Sequence, residues 1–89
     1  MSEATFEIVN IKGLHARASA KFVETVEKFD ANATVSKDGM DANGDSIMGL
    51  LMLAASIGTS ITVTTTGLQA DALLAELDAL VADKFGEGS

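Results

Sequence analysis

Between Ser60 and Thr66 the chain alternates, with Ile61 and Val63 on one side of an extended strand and threonines on the other. Successive strand residues point to opposite faces, so this segment has one face to bury and one to leave wet. A sheet built on such a strand takes its helices on one side only, and the chain holds three segments to supply them. From Ala16 to about Lys28, Phe22, Val26 and Phe29 recur at helical spacing. Ile47 to about Ala54 reads as a short helix with Ser46 as its N-cap. Gln69 to Lys84 carries Leu73, Leu74, Leu77, Leu80 and Val81 as an apolar stripe, with Gly86 as a stop.

Thr5 to Asn10 mixes alternating and β-branched character and reads as a strand. Ala33–Lys37 and Met40–Ala42 are short strands joined by Asp38-Gly39, a strong tight-turn pair. The order β-α-β-β-α-β-α implies an α+β sandwich with three helices on one face of the sheet. At 89 residues the expectation is one domain spanning 1–89. With 47% hydrophobic residues, four Phe and neither Trp nor Tyr, its core must be largely aliphatic.

Composition narrows the function classes. Without cysteine there is no disulfide framework or thiolate metal site, and one histidine among scattered carboxylates argues against zinc. The N-terminus lacks a basic stretch followed by an apolar one, as a signal peptide would have. The longest apolar run, Ile47 to Ala55, falls far short of the ~20 residues needed to span a bilayer. A cytoplasmic protein is expected, away from the membrane and without a cofactor. The net charge of −7 argues against a nucleic-acid partner, yet three of the six basic residues, Lys12, Arg17 and Lys21, fall within ten positions around His15.

His15, the only histidine, follows Gly13-Leu14 and directly precedes the first helix. At a helix start the first N–H groups are unpaired and, with the macrodipole, attract anions. That field disfavours imidazolium and favours a neutral, nucleophilic ring, while Arg17 offers a planar fork suited to phosphate. A nucleophilic nitrogen beside an anion cradle is equipment for carrying a phosphoryl group. These residues alone leave open a plainer reading, a partly exposed capping histidine beside a solvated arginine.

The run Asp45-Ser46-Ile47-Met48-Gly49-Leu50-Leu51-Met52-Leu53 is too apolar for an ordinary surface helix. Leu50 and Leu53 can face the core at three-residue spacing, which leaves Ile47, Met48 and Leu51 in another sector. Either the helix is deeply buried or it presents an apolar patch for docking, where methionine suits more than one partner. Ser46 is accounted for as a cap; a phosphate there would also add about −2 charge beside the patch.

Taken together, Gly13-Leu14-His15-Ala16-Arg17, Asp45-Ser46-Ile47-Met48-Gly49, the strand Ile61 to Thr64 and the closing helix resemble the HPr family of histidine phosphocarriers. The resemblance covers nearly the whole chain. It implies an open-faced β-sandwich, a four-stranded antiparallel sheet with three helices. It also implies a relay in which Enzyme I takes phosphate from phosphoenolpyruvate, passes it to a histidine, and an enzyme IIA-type acceptor receives it. His15 matches that histidine, phosphorylated on Nδ1, and Arg17 the arginine that neutralises the phosphate. The backbone N–H groups of Ala16 and Arg17 would cap it. Ser46 matches the serine modified by HPr kinase/phosphorylase in members with that control, and Ala20, Ile47, Met48 and Leu51 fall at partner-facing positions. The carrier is expected to be a monomer that catalyses little alone.

Three positions depart from common members: Ala18 stands where many have proline, and Glu24 and Glu27 where some have lysine. His15-Ala16-Arg17-Ala18-Ser19 with Leu50-Leu51-Met52-Leu53 is more similar to the nitrogen-related branch than to the sugar-uptake branch. Two other functions remain on the residues. One is a regulatory protein-binding module acting through Ile47, Met48 and Leu51. The other is a hydrolase using His15 with a serine, which would need a carboxylate to orient the ring, and none lies beside His15 in the sequence.

Overall fold

The computed structural model describes residues 1–88. The chain runs β1 (Ser2–Glu7), α1 (Ala16–Glu27), β2 (Asn32–Lys37), β3 (Met40–Asn43), α2 (Ile47–Met52), β4 (Ser60–Thr66) and α3 (Ala70–Ala82), ending in a 3-10 turn over Lys84–Gly86. The strands form one antiparallel sheet in the order β1-β4-β2-β3, with the three helices over one face, as the alternation of the last strand requires. No helix among the described residues is long and apolar enough to cross a membrane.

Register puts one apolar row across the sheet, in which Ala4 faces Val63, Val63 faces Val35, and Val35 faces Ala42. Phe6 opposite Ile61 makes a second. Onto these rows pack Phe22 and Val26 of α1, Leu50 of α2, and Leu73, Leu77 and Val81 of α3. The other face is a polar ladder. Thr5 and Thr62 hydroxyls meet at 3.2 Å, Thr64 donates to Glu3 at 3.0 Å, and Ser36 donates to Asp41 at 2.6 Å. Asp38 and Gly39 both take positive φ, 51° and 81°, so the β2–β3 connection twists with its strands.

Four details differ from the sequence expectations. β1 occupies Ser2–Glu7 rather than Thr5–Asn10, because its partner β4 begins only at Ser60, opposite Glu7. Partner register decides a strand's extent more than local propensity does. Thr65 is not on the wet face with the other threonines. It follows Ile61 and Val63 at period two, is fully buried, and its hydroxyl donates to the Ala70 carbonyl at 2.8 Å. α2 stops at Met52 because Ala54 turns left-handed with φ 52°. α3 stops at Ala82, not Lys84. There Lys84, Phe85 and Gly86 take φ of 55°, 54° and 76° in succession and swing the chain back over α1.

That return costs about 1–2 kcal/mol for each non-glycine left-handed residue. Full burial of Phe85 offsets it by roughly 1.5–3 kcal/mol, helped by the Lys21 Nζ bond to the Phe85 carbonyl at 2.6 Å.

Leu77 is fully buried and Leu68 almost fully exposed. Leu77→Ala should lower the unfolding free energy by about 2–5 kcal/mol in urea titration, whereas Leu68→Ser should change it by no more than ~0.5 kcal/mol.

Candidate functional site

The segment Asn10–Leu14 is fixed against the exit of α2. Gly13 adopts φ +65°, and a Cβ there would lie 2.5 Å from the Ala55 carbonyl oxygen and 2.9 Å from Ser56 Cα, so no larger residue fits without displacing backbone. The next residue, Leu14, is buried and its N–H donates to the Ala55 carbonyl at 2.8 Å. With the chain held on both sides, His15 becomes the N-cap of α1 in extended conformation, φ −79° and ψ −176°.

Its carbonyl accepts the first helical bond, from Ser19 N–H at 2.8 Å, and no side chain caps the helix. The N–H groups of Ala16, Arg17 and Ala18 therefore have no intrahelical partner. Those of Ala16 and Arg17 belong to exposed residues beside the imidazole, whereas Ala18 is buried in the core. Arg17 and Lys12 are exposed, and with Ile11 and Glu87 they line a shallow pocket of about 180 Å³.

Glu87 is the residue that sequence reasoning missed. The left-handed return through Phe85 places its carboxylate on His15, Oε2 bonded to Nε2, with the histidine side chain 27% and the glutamate 12% exposed. Asn10 Nδ2 bonds the other oxygen, Oε1, at 2.9 Å and the Gly13 carbonyl at 2.8 Å. Asn10 is itself fully buried, and its Oδ1 has no partner among the described residues. Burial of Glu87 works against ionisation but is outweighed. Hydrogen bonds from Asn10 and His15, then the charges of His15 and Lys12, hold its carboxyl below the ordinary glutamate value. The one available signal was Phe85, an aromatic residue just past the helix and before a glycine, which had to return to the core.

The three basic residues around His15 do not act together. Lys21 is tied to the Phe85 carbonyl and holds the tail, which leaves Lys12 and Arg17 as the exposed cations of the site. A second depression, about 320 Å³, is lined by His15 itself with Lys12, Leu14, Leu51, Ala54, Ala55 and Ser56. It joins His15 to the edge of the α2 surface. Leu50 and Leu53 are buried there, while Ile47, Met48 and Met52 are 40%, 69% and 67% exposed, with Leu51 half-buried between. Met52 belongs to this surface although the sequence reading did not place it there. Ala20 is half-buried on α1. Ser46 shares neither depression with His15; its Oγ accepts from Gly49 N–H at 3.0 Å and caps α2 as expected. Among the described residues no group of three or more His, Asp or Glu side chains could hold a metal ion.

Comparison with known proteins follows the same residues. A family model described as PTS-HPr, PTS HPr component phosphorylation site, matches residues 2–83. The chain is 44% identical over 88 residues to a phosphocarrier protein HPr of Neisseria meningitidis, covering 99% of each. It is 41% identical over 87 residues to a phosphocarrier protein NPr of Shewanella violacea, covering 98% of this chain and 96% of the relative. Its structure is similar to the crystal structure of HPr-C-His from Thermoanaerobacter tengcongensis, with TM-score 0.93, 40% identity and 98% of each chain covered.

Because the Glu87 carboxyl is held below its ordinary value, its contribution to stability is complete above that value and is lost as pH falls through the lowered one. Acidification below about pH 4.3, the unperturbed glutamate range, should therefore release the tail while the core persists. The backbone resonances of Gly86 and Gly88 should shift in that range in an NMR titration, ahead of those of the core strands.

Proposed function

The chain belongs to the HPr family of phosphotransferase-system phosphocarriers, and from that premise we propose that His15 is its phosphoryl acceptor. Nδ1 receives the group from phosphorylated Enzyme I and later yields it to an enzyme IIA-type acceptor. The observation that carries this reading is the placement of His15 as N-cap of α1. Its Nε2 is engaged by Glu87, Nδ1 has no hydrogen bond among the described residues, and the helix start beside it is uncapped.

As Nδ1 attacks phosphorus and the bond to the donor breaks, negative charge on the phosphoryl oxygens meets the free N–H groups of Ala16 and Arg17. Arg17 then swings onto the group, as a planar fork is suited to do. The site is shallow and lacks a deep pocket, which fits a carrier that must release what it takes. Partner surfaces supply the rest of each transfer site, so the isolated chain is a covalent intermediate and not a free-standing catalyst. We place this cycle in the cytoplasm, carried by a monomer without a cofactor.

Ile47, Met48 and Leu51, with Ala20 on α1, form the docking surface, and the depression joining Leu51 to His15 supports that assignment. Phosphorylation of Ser46 by HPr kinase/phosphorylase would set charge beside this surface and repel an acidic partner. The same exposed surface favours a second role as a regulatory binding module, with the phosphoryl group selecting the partner. The motif shared with the nitrogen-related branch points to a regulatory output.

Incubated with phosphoenolpyruvate and Enzyme I, the chain should gain one acid-labile phosphate by intact-mass measurement, and His15→Ala should gain none while staying folded. Labelling of that variant would overturn the assignment. Ser46→Asp should keep the fold and slow transfer from Enzyme I by about ten-fold or more. Met48→Asp should weaken Enzyme I binding without changing the unfolding transition.

A further inference from the structure

The contact between Glu87 and His15 is held in place by several independent features of the fold. Two non-glycine residues, Lys84 and Phe85, are held left-handed, Phe85 is fully buried as an anchor, and Lys21 clamps its carbonyl. The fully buried Asn10 then reaches both Glu87 Oε1 and the Gly13 carbonyl just before His15. Asn10 thus ties the carboxylate to the Gly13 carbonyl, two residues before His15, through one amide. Both acceptors are oxygens, which requires the NH2 end of Asn10 to face them.

We propose that Glu87 is a positioning residue for phosphotransfer, holding the proton of His15 on Nε2 so that the lone pair stands at Nδ1. This rests on the carrier reading above. An ionised carboxylate can only accept, so the ring nitrogen that meets Glu87 must be the donor. A ring protonated on Nε2 leaves its lone pair on Nδ1, which has no hydrogen bond among the described residues and belongs to the N-cap of the uncapped α1. With the proton on Nδ1 instead, the nucleophilic nitrogen would be the one that Glu87 covers.

The transfer then balances without moving any proton. The Nδ1–P bond forms as the donor's bond to phosphorus breaks, and Nε2 keeps its hydrogen. The ring acquires one positive charge, which the Glu87 carboxylate faces directly. On passage to the acceptor the Nδ1–P bond breaks and the ring returns to its neutral, Nε2-protonated form. Glu87 thus stabilises the charge that forms on the ring, while Arg17 and the helix start receive the charge on the phosphoryl oxygens. The two sets of partners act on different atoms, Glu87 on Nε2 and the helix start with Arg17 on the group carried at Nδ1. A carboxylate hydrogen-bonded to a ring nitrogen in this way orients a histidine much as an aspartate does in a hydrolytic triad. Here no serine hydroxyl bonds the ring among the described residues, and the ring itself is the nucleophile.

Histidine-labelled 15N NMR of the unphosphorylated chain, with steady-state transfer from Enzyme I, tests this. At a pH where the ring is neutral, the wild type should show Nδ1 unprotonated and an Nε2–H that exchanges slowly with solvent. Glu87→Ala should still unfold cooperatively, with only the small loss of stability its tail contacts supply, lose the slow exchange, and lower kcat about ten-fold with the KM of Enzyme I for the chain unchanged. Glu87→Gln, whose amide oxygen still accepts from Nε2–H, should recover part of both. Equal kcat in wild type and Glu87→Ala would overturn the proposal, as would an Nε2–H that exchanges equally fast in both. Failure of the carrier reading looks different. The wild type would then gain no phosphate at all, and the positioning role would fall with it.

Discussion

β4 is paired along both edges, to β1 and to β2, in a register that keeps Ile61, Val63 and Thr65 against the helices. A slip of one residue would turn those three outward and bring Thr62 and Thr64 into the core, so register is strongly specified. Everything that positions the site follows from it. The start of β4 fixes where β1 ends, and Gly58 N–H reaches the Ile8 carbonyl at 2.9 Å just before it. From Ile8 the chain can only cross the exit of α2, where Gly13 and Ala55 meet, and His15 follows. The far end of β4 starts α3 through Thr65, and α3 delivers Phe85 and Glu87 to the same histidine.

The sequence disclosed what depends on local chemistry. His15 at a helix start, Ser46 as a cap, the Asp38-Gly39 turn and the stripe on α3 each announce themselves through spacing within a few residues. It concealed what depends on partners far along the chain. β1 was misplaced because pairing with β4 set its limits. Thr65 was misread because its residue type outweighed its position in the alternation. Lys21 looked like part of a cationic cluster and proved to be a clamp on the tail. Glu87 went unread because an apparent helix stop at Gly86 hid a return of the chain, which only the burial of Phe85 explains.

The site sits on a molecule of charge −7. Two exposed cations, Lys12 and Arg17, are set against one carboxylate whose charge is already engaged by Asn10 and His15. Long-range repulsion therefore opposes an incoming phosphoryl group, and only short-range donors favour it. That balance suits a carrier, since tight anion binding would trap the group in transit. It also leaves to partner surfaces a large part in each transfer on the reading proposed above.

The pairing of β1 with β4 joins segments more than fifty residues apart, Phe6 against Ile61 among them. Closing so long a loop is slow because its entropy is lost before the contacts that reward it form. The chain contains no proline, so topology and not isomerisation governs the folding rate. The β2–β3 hairpin and the helices can form early, but the loop before His15 and the glutamate that faces it are both secured only after β4 has found its two neighbours. In kinetic terms the surroundings of His15 depend on the long-range pairing of β4, and a chain that has not yet made it holds no assembled site.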